Sequence, residues 1–358
     1  MNRPVHGGNL AWAAELAGCS PSAILDFSAS ISPLGPPQSA IAAIQSNLNL
    51  VREYPDPDYR RLRSAIARFH QLSIDWILPG NGAAELLTWA CWDLATLDAT
   101  QVLTPGFSDY FRALSAFDAK VHRCPFDFAG NQRGFESVSM DLSAVIQPTC
   151  EGLLLNNPHN PTGQLFSRES ILFCLKEFSL VVVDEAFMDF LPPDRQQSLI
   201  DDVQHYPNLV ILRSLTKFYS LPGLRLGYAI AHPDYLKVWQ TRRDPWSVNV
   251  LASVAAEAML SDTEFQQQTW NWLEVAKPKL FQGLSALPGL HPYASAANFF
   301  LVRSDQSVPE IQQRLLKQHQ ILIRDCVSFP ELGDRYFRVA VRSESENQRL
   351  IAGLTDVL

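Results

Sequence analysis

Apolar residues fall into short unbroken runs separated by longer amphipathic stretches. The runs at 101–104, 152–156, 180–184, 209–213 and 227–231 are rich in Val, Ile and Leu. Runs of this length with no polar alternation predict strands covered on both faces. Helical periods lie between them. In 61–69, Leu62, Ile66 and Phe69 share one face, and 169–178 behaves alike. Strands alternating with helices predict an α/β fold around a mostly parallel sheet.

The last third reads differently. Long helices are predicted at 248–260 and 264–287, then short strands at 299–303 and 336–341, with helices at 309–319 and 345–357. That pattern predicts a smaller α+β unit. Near the other end, Pro33, Pro36 and Pro37, then Pro55 and Pro57, interrupt any regular element, because proline fixes φ and removes a donor. The expected organisation is an N-terminal segment 1–35, a large domain 36–260 and a small domain 261–358.

Composition changes this picture little. The 358 residues are 47% hydrophobic and 18% charged, with a formal charge of −8. That is ordinary globular composition, and no basic stripe marks a nucleic-acid partner. No apolar run approaches a membrane span, and the opening residues lack a signal-peptide core, so the expectation is a cytoplasmic protein. The six cysteines are scattered without metal spacing, which predicts no metal site.

Several motifs are excluded. The segment Gly80-Asn81-Gly82-Ala83-Ala84-Glu85 starts like a dinucleotide fingerprint but lacks its third glycine. No phosphate-binding G-x-x-x-x-G-K-[ST] loop precedes Val183-Asp184-Glu185. What remains is a group of residues at the ends of the predicted strands. Asn160 follows the run at 152–156, and Asp184 ends the next one. Ser214, Thr216 and Lys217 follow the run at 209–213, and Arg225 precedes the one at 227–231. Strand ends of a parallel sheet share one edge, where ligands bind. A carboxylate there can hold a ring nitrogen protonated, and an amine can bond covalently to an aldehyde. Hydroxyls, a guanidinium and helix-end amides can hold a phosphate. Each residue alone is an ordinary surface group, and only their conjunction suits a small anionic aromatic cofactor.

Asn160-Pro161-Thr162-Gly163, Asp184-Glu185-Ala186 and Ser214-x-Thr216-Lys217 with Arg225 resemble the fold type I pyridoxal 5′-phosphate (PLP) enzymes of the histidinol-phosphate aminotransferase group. The resemblance covers nearly the whole chain. It implies a PLP-dependent transferase fold: a mostly parallel central sheet with helices on both faces, plus a smaller α+β C-terminal domain. It makes Lys217 the catalytic lysine that carries the cofactor, and pairs Asp184 with the pyridine nitrogen. It gives Asn160 the ring oxygen, and Ser214, Thr216 and Arg225 the phosphate. Gly82, Ala83 and Ala84 would open a helix onto that phosphate, and Phe107 would stack on the ring. Tyr54 would reach the phosphate of a partner subunit, implying a homodimer with shared active sites. Arg338 would bind the substrate carboxylate.

A narrower resemblance, to the threonine-phosphate decarboxylase family, rests on His6-Gly7-Gly8-Asn9, Leu25-Asp26-Phe27-Ser28-Ala29, Ile31-x-Pro33-Leu34-Gly35, Asp184-Glu185-Ala186-Phe187, Pro245-Trp246-Ser247-Val248-Asn249 and Arg338-Val339-Ala340-Val341-Arg342. It implies decarboxylation of L-threonine O-3-phosphate to (R)-1-aminopropan-2-yl phosphate in cobalamin biosynthesis. A phosphorylated substrate needs a second anion site, for which His6, Arg324 and Arg342 are candidates, with Ser32 or Asn9 as neutral helpers and Asn160 facing the substrate as well. If the last strand persists, Arg338 and Arg342 share a face. Phe187 departs from the tyrosine common in the wider group and offers no hydroxyl to the ring oxygen. Ala83 and Ala84 lack the side chains often found at the phosphate, which leaves backbone amides there. The alternatives are an aminotransferase acting on histidinol phosphate or a related amino-acid phosphate, and a non-catalytic binding protein on the same fold. The intact Lys217, Asp184 and Arg338 argue against the latter.

Overall fold

The computed structural model describes residues 4–128, 134–137, 139–146 and 149–358. From the N-terminal side, helix α1 (Leu10–Ala17) leads to a two-residue strand β1 (Leu25–Asp26), then to α2 (Gln38–Ser46) and α3 (Arg60–His70). The main sheet follows: β2 (Ile77–Asn81), β3 (Thr100–Thr104), β4 (Val121–Pro125), β5 (Gly152–Asn156), β6 (Leu180–Asp184), β7 (Leu209–Ser214) and β8 (Leu226–Ala231). Helices α4 (Ala83–Ala95), α5 (Ser108–Ser115) and α6 (Arg168–Glu177) lie between its strands, and α7 (Pro233–Arg242), α8 (Val250–Met259) and α9 (Thr263–Ser285) come after it. The rest is β9 (Leu290–Pro292), β10 (Phe299–Ser304), α10 (Val308–His319), β11 (Ile321–Leu322), β12 (Arg324–Asp325), β13 (Tyr336–Ala340) and α11 (Glu344–Val357).

The seven strands are ordered β2-β8-β7-β6-β5-β3-β4. β3 to β7 pair in parallel, and β8 runs against both of its neighbours. Hydrophobic burial explains the unbroken apolar runs. Leu180, Val181, Val182 and Val183 are 0–3% exposed, and each contributes about 1.5–3 kcal/mol on burial. Val181, Val183, Leu209 and Ile211 enter one core on one face, while Leu180, Val182, Val210 and Leu212 enter a second core on the other. The first core continues without a break into Phe299, Phe300 and Phe337 of the last third, so the two layers share one hydrophobic interior.

The last third holds more strands than its pattern predicts. β9, β10, β13 and β12 form an antiparallel sheet; β9 and β12 are too short for a periodicity signal. The N-terminal segment docks on this unit. β1 pairs in parallel with β11, joining Leu25 to Ile321 and Asp26 to Leu322, and Ala13, Ala14 and Ile24 pack against Leu316 and Leu322.

Candidate active site

The sheet register gathers the predicted residues at one edge. Asn156 lies beside Asp184, Asp184 beside Leu212, Ser214 beside Gly227, and Asn81 beside Leu226. Because β8 is reversed, its first residue lies where its neighbours end. Arg225 therefore reaches the same edge from the start of a strand, in left-handed backbone at φ 56°.

Asp184 and Lys217 form the floor. Asp184 accepts hydrogen bonds from the Tyr110 hydroxyl at 2.7 Å and the Ala186 N–H at 3.0 Å. Burial pushes its carboxyl above the usual range, opposed by the Lys217 charge and these two donors. Burial likewise pulls the Lys217 amine down to about 8, with Asp184 opposing and Arg338 and Arg225 assisting. The Lys217 Nζ lies 4.9 Å from the centre of the Phe187 ring, which is buried edge-on against Phe299. Ser32 is buried beside the lysine, its N–H donating to Lys217 O at 3.0 Å.

At the next corner, Ser214 Oγ and Thr216 Oγ1 lie 2.7 Å apart. Gly82 caps α4 with φ 77°, and a Cβ there would sit 2.5 Å from Arg225 Nη2. Only glycine leaves this space beside a guanidinium and the helix-end amides of Ala83 and Ala84. An anion site at a helix N-terminus follows from those orphan donors. Phe107 starts α5, half-buried and edge-on to Tyr110 at 5.4 Å. Lysine, carboxylate, hydroxyl pair, guanidinium and glycine-opened helix end fit a phosphorylated aromatic aldehyde, the chemistry of PLP.

The substrate side comes from the small sheet and the N-terminal segment. Arg324 and Arg338 stand directly opposite one another in the β12/β13 register. Arg338 Nη1 donates to Asn160 Oδ1, and Nη2 reaches Ser28 O at 3.4 Å. Among the described residues, no carboxylate lies within ion-pair distance of Arg338. Burial and the neighbouring Arg324 charge push its guanidinium down to about 10. Arg324 is buried; it donates to Val5 O and to Ser328 Oγ at 2.6 Å, with Asp325 at 3.8 Å. His6 lies 5.7 Å from the Phe107 ring, and burial pulls its imidazole down. Asn9 is occupied capping α1, accepting from the Trp12 N–H at 3.0 Å.

Two predicted residues do not join this group. β13 ends at Ala340, so Arg342 does not share a strand face with Arg338. Its guanidinium donates to Asp26 O at 3.1 Å and to Glu346 at 2.8 Å, away from Arg338 on the strand. Tyr54 is 79% exposed and lies against Trp246, the ring centres 4.6 Å apart and tilted, outside its own chain's site. Two contributors escaped the sequence reading. Tyr110 lies one helical turn beyond Phe107, a spacing that puts both on one face and could have revealed it. Phe299, 4.7 Å beneath the Arg338 guanidinium, carries no such signal.

The architecture is that of the fold type I PLP enzymes. The chain belongs to the aminotransferase class I and II family, whose model matches residues 22–354. It is 41% identical, over 99% of this chain and 96% of the relative, to the threonine-phosphate decarboxylase of Salmonella typhimurium. The histidinol-phosphate aminotransferase of Clostridium acetobutylicum superposes with a TM-score of 0.85 at 28% identity, covering 93% of this chain and 99% of that one. The L-threonine-O-3-phosphate decarboxylase of Porphyromonas gingivalis gives 0.79 at 27% identity, covering 92% and 98%.

Proposed function

We propose that the protein is a PLP-dependent carboxy-lyase that converts L-threonine O-3-phosphate to (R)-1-aminopropan-2-yl phosphate and CO2, a step that supplies cobalamin biosynthesis. The observation that carries this reading is the pair Arg324 and Arg338, adjacent in register, the latter without a carboxylate partner among the described residues. Two neighbouring guanidiniums repel, and a substrate with an anion at each end relieves both. Arg338 would hold the carboxylate, and Arg324 with His6 the phosphate. The full-length identity to a decarboxylase supports the same choice.

Bound PLP supplies a sink for the electron pair left when a bond at Cα breaks. Asp184 holds the positive end of that sink. Gripping the substrate at two points decides which Cα bond is presented for cleavage, so positioning sets the reaction type. As CO2 leaves, Lys217 returns a proton to Cα; an amine lowered to about 8 both gives and takes protons near neutrality.

Tyr54 supports a homodimer with shared active sites, because an exposed tyrosine beside Trp246 is free to reach a partner. Six free cysteines support a cytoplasmic setting. Among the described residues no helix is long and apolar enough to cross a membrane.

The test is incubation with threonine phosphate, with and without 2-oxoglutarate. Release of CO2 and aminopropanol phosphate without the keto acid is expected. Glutamate-dependent transamination of histidinol phosphate, with no CO2 from threonine phosphate, refutes the reading.

A further inference from the structure

Neighbouring residues at a strand end face opposite sides of a sheet. Asp184 meets Tyr110 on the side of the second core. Arg213, one residue before Ser214, turns the other way and meets Glu185, one residue after Asp184. Glu185 and Arg213 are 0% and 1% exposed. Arg213 Nη2 lies 2.9 Å from Glu185 Oε2 and 3.0 Å from Ser198 Oγ, while Nη1 donates to Asp189. Glu185 also accepts from Ser198 Oγ at 2.7 Å and from the Leu199 N–H at 3.2 Å. Trp270 Nε1 donates to Asp189 O at 2.9 Å. Arg213, Asp189, Ser198 and Trp270 line a cleft of about 440 Å³.

A buried ion cluster returns little net stability, because desolvation offsets its attraction; apolar packing would serve as well. Its geometry does something apolar packing would not. One guanidinium ties the turn that follows Asp184 to the strand that delivers Ser214 and Lys217. We propose that the Glu185–Arg213–Asp189 cluster positions the two cofactor-holding groups from behind the sheet, fixing Asp184 relative to Lys217. This rests on the cofactor half of the proposed function and is independent of the substrate.

The test is the pH dependence of the visible band of PLP joined to Lys217, recorded on holoenzyme. The charged groups facing Lys217 are Asp184, Arg338, Arg225 and Asp189. The titratable groups facing the cluster from packed elements are His70 of α3, Tyr228 of β8, and Tyr219, all held neutral by burial. The Asp189 charge favours the protonated form at Lys217, so Asp189→Asn lowers the midpoint by about half a pH unit or more. Arg213→Lys keeps the charge but loses the fork; it too moves the midpoint, and lowers kcat several-fold with little change in KM. Trp270→Phe, which removes the bond to Asp189 O and part of the indole packed near Phe218 but no charge, lowers Tm and leaves the midpoint in place. Should Arg213→Lys not fold, the near-isosteric Asp189→Asn still decides. A band present but unmoved in the folded cluster variants overturns this inference alone. A wild-type protein that binds no PLP overturns the cofactor reading and this inference with it.

Discussion

The two ends of the site are built differently. The cofactor end rests on strand termini and one helix start, and its side chains are short or held by neighbours: Ser214 by Thr216, Asp184 by Tyr110 and Ala186. The substrate end is made of long cationic side chains reaching in from a four-stranded sheet, closed by a segment from the other end of the chain. One end is fixed by backbone register. The other depends on packing between distant parts of the sequence. A rigid end suits chemistry common to a whole family, and a tertiary end suits selection among substrates.

The largest effect should come from the floor of the rigid end. Lys217→Ala loses the covalent link to PLP and the proton shuttle, so turnover should fall by about 10³-fold or more, with the visible band shifted to that of unattached cofactor. Full turnover in this variant would break the division between the two ends. Arg324→Ala strikes the other end. Losing a charge-assisted hydrogen bond of about 1.5–3 kcal/mol should cost roughly ten- to hundredfold in kcat/KM for threonine phosphate, with the cofactor spectrum unchanged. Arg342→Ala, its guanidinium already paired with Glu346, should leave KM alone.

Tyr110→Phe probes the support beneath Asp184. Removing that donor should weaken PLP retention about five- to tenfold, measured by dialysis against apoprotein formation, without altering substrate preference. The smallest effect concerns the apoprotein. The Lys217 amine is lowered on folding from 10.5 to about 8. Between those values the unfolded chain binds more protons, so stability rises with pH. Lys217→Met should therefore raise apoprotein stability near pH 7, where holding the buried charge costs the fold most, and the advantage should fade by about pH 10. An advantage constant with pH would mean that packing, rather than charge, is its source.

The same contrast explains what the sequence disclosed. The strands of the main sheet were legible because burial on both faces leaves unbroken apolar runs, and 152–156 and 180–184 match β5 and β6 end to end. Residues at those strand ends were legible with them. Helix α8 starts at Val250 rather than 248 because Asn249 caps it, its side chain accepting from the Ala252 N–H. The substrate end was harder. Arg324 follows the apolar triplet Ile321-Leu322-Ile323, a weak inward signal; its place opposite Arg338 appears only when β12 pairs with β13, while Arg342 falls beyond the strand. Nothing local announced that Arg213 and Glu185 would meet behind the sheet.

The parallel pairing of β1 with β11 has a consequence for the order of synthesis. Leu25 cannot find its partner until Ile321 has been made. At about 5–20 residues per second, that leaves the first strand waiting on the order of tens of seconds on the ribosome. The main sheet ends at Ala231 and can close before then. A nascent chain therefore carries an assembled cofactor edge while Ala13, Ala14 and Ile24 still lack Leu316 and Leu322. Those apolar residues are what a chaperone would meet, and the strand at Leu25 takes its place only after the residues at 321–322 exist.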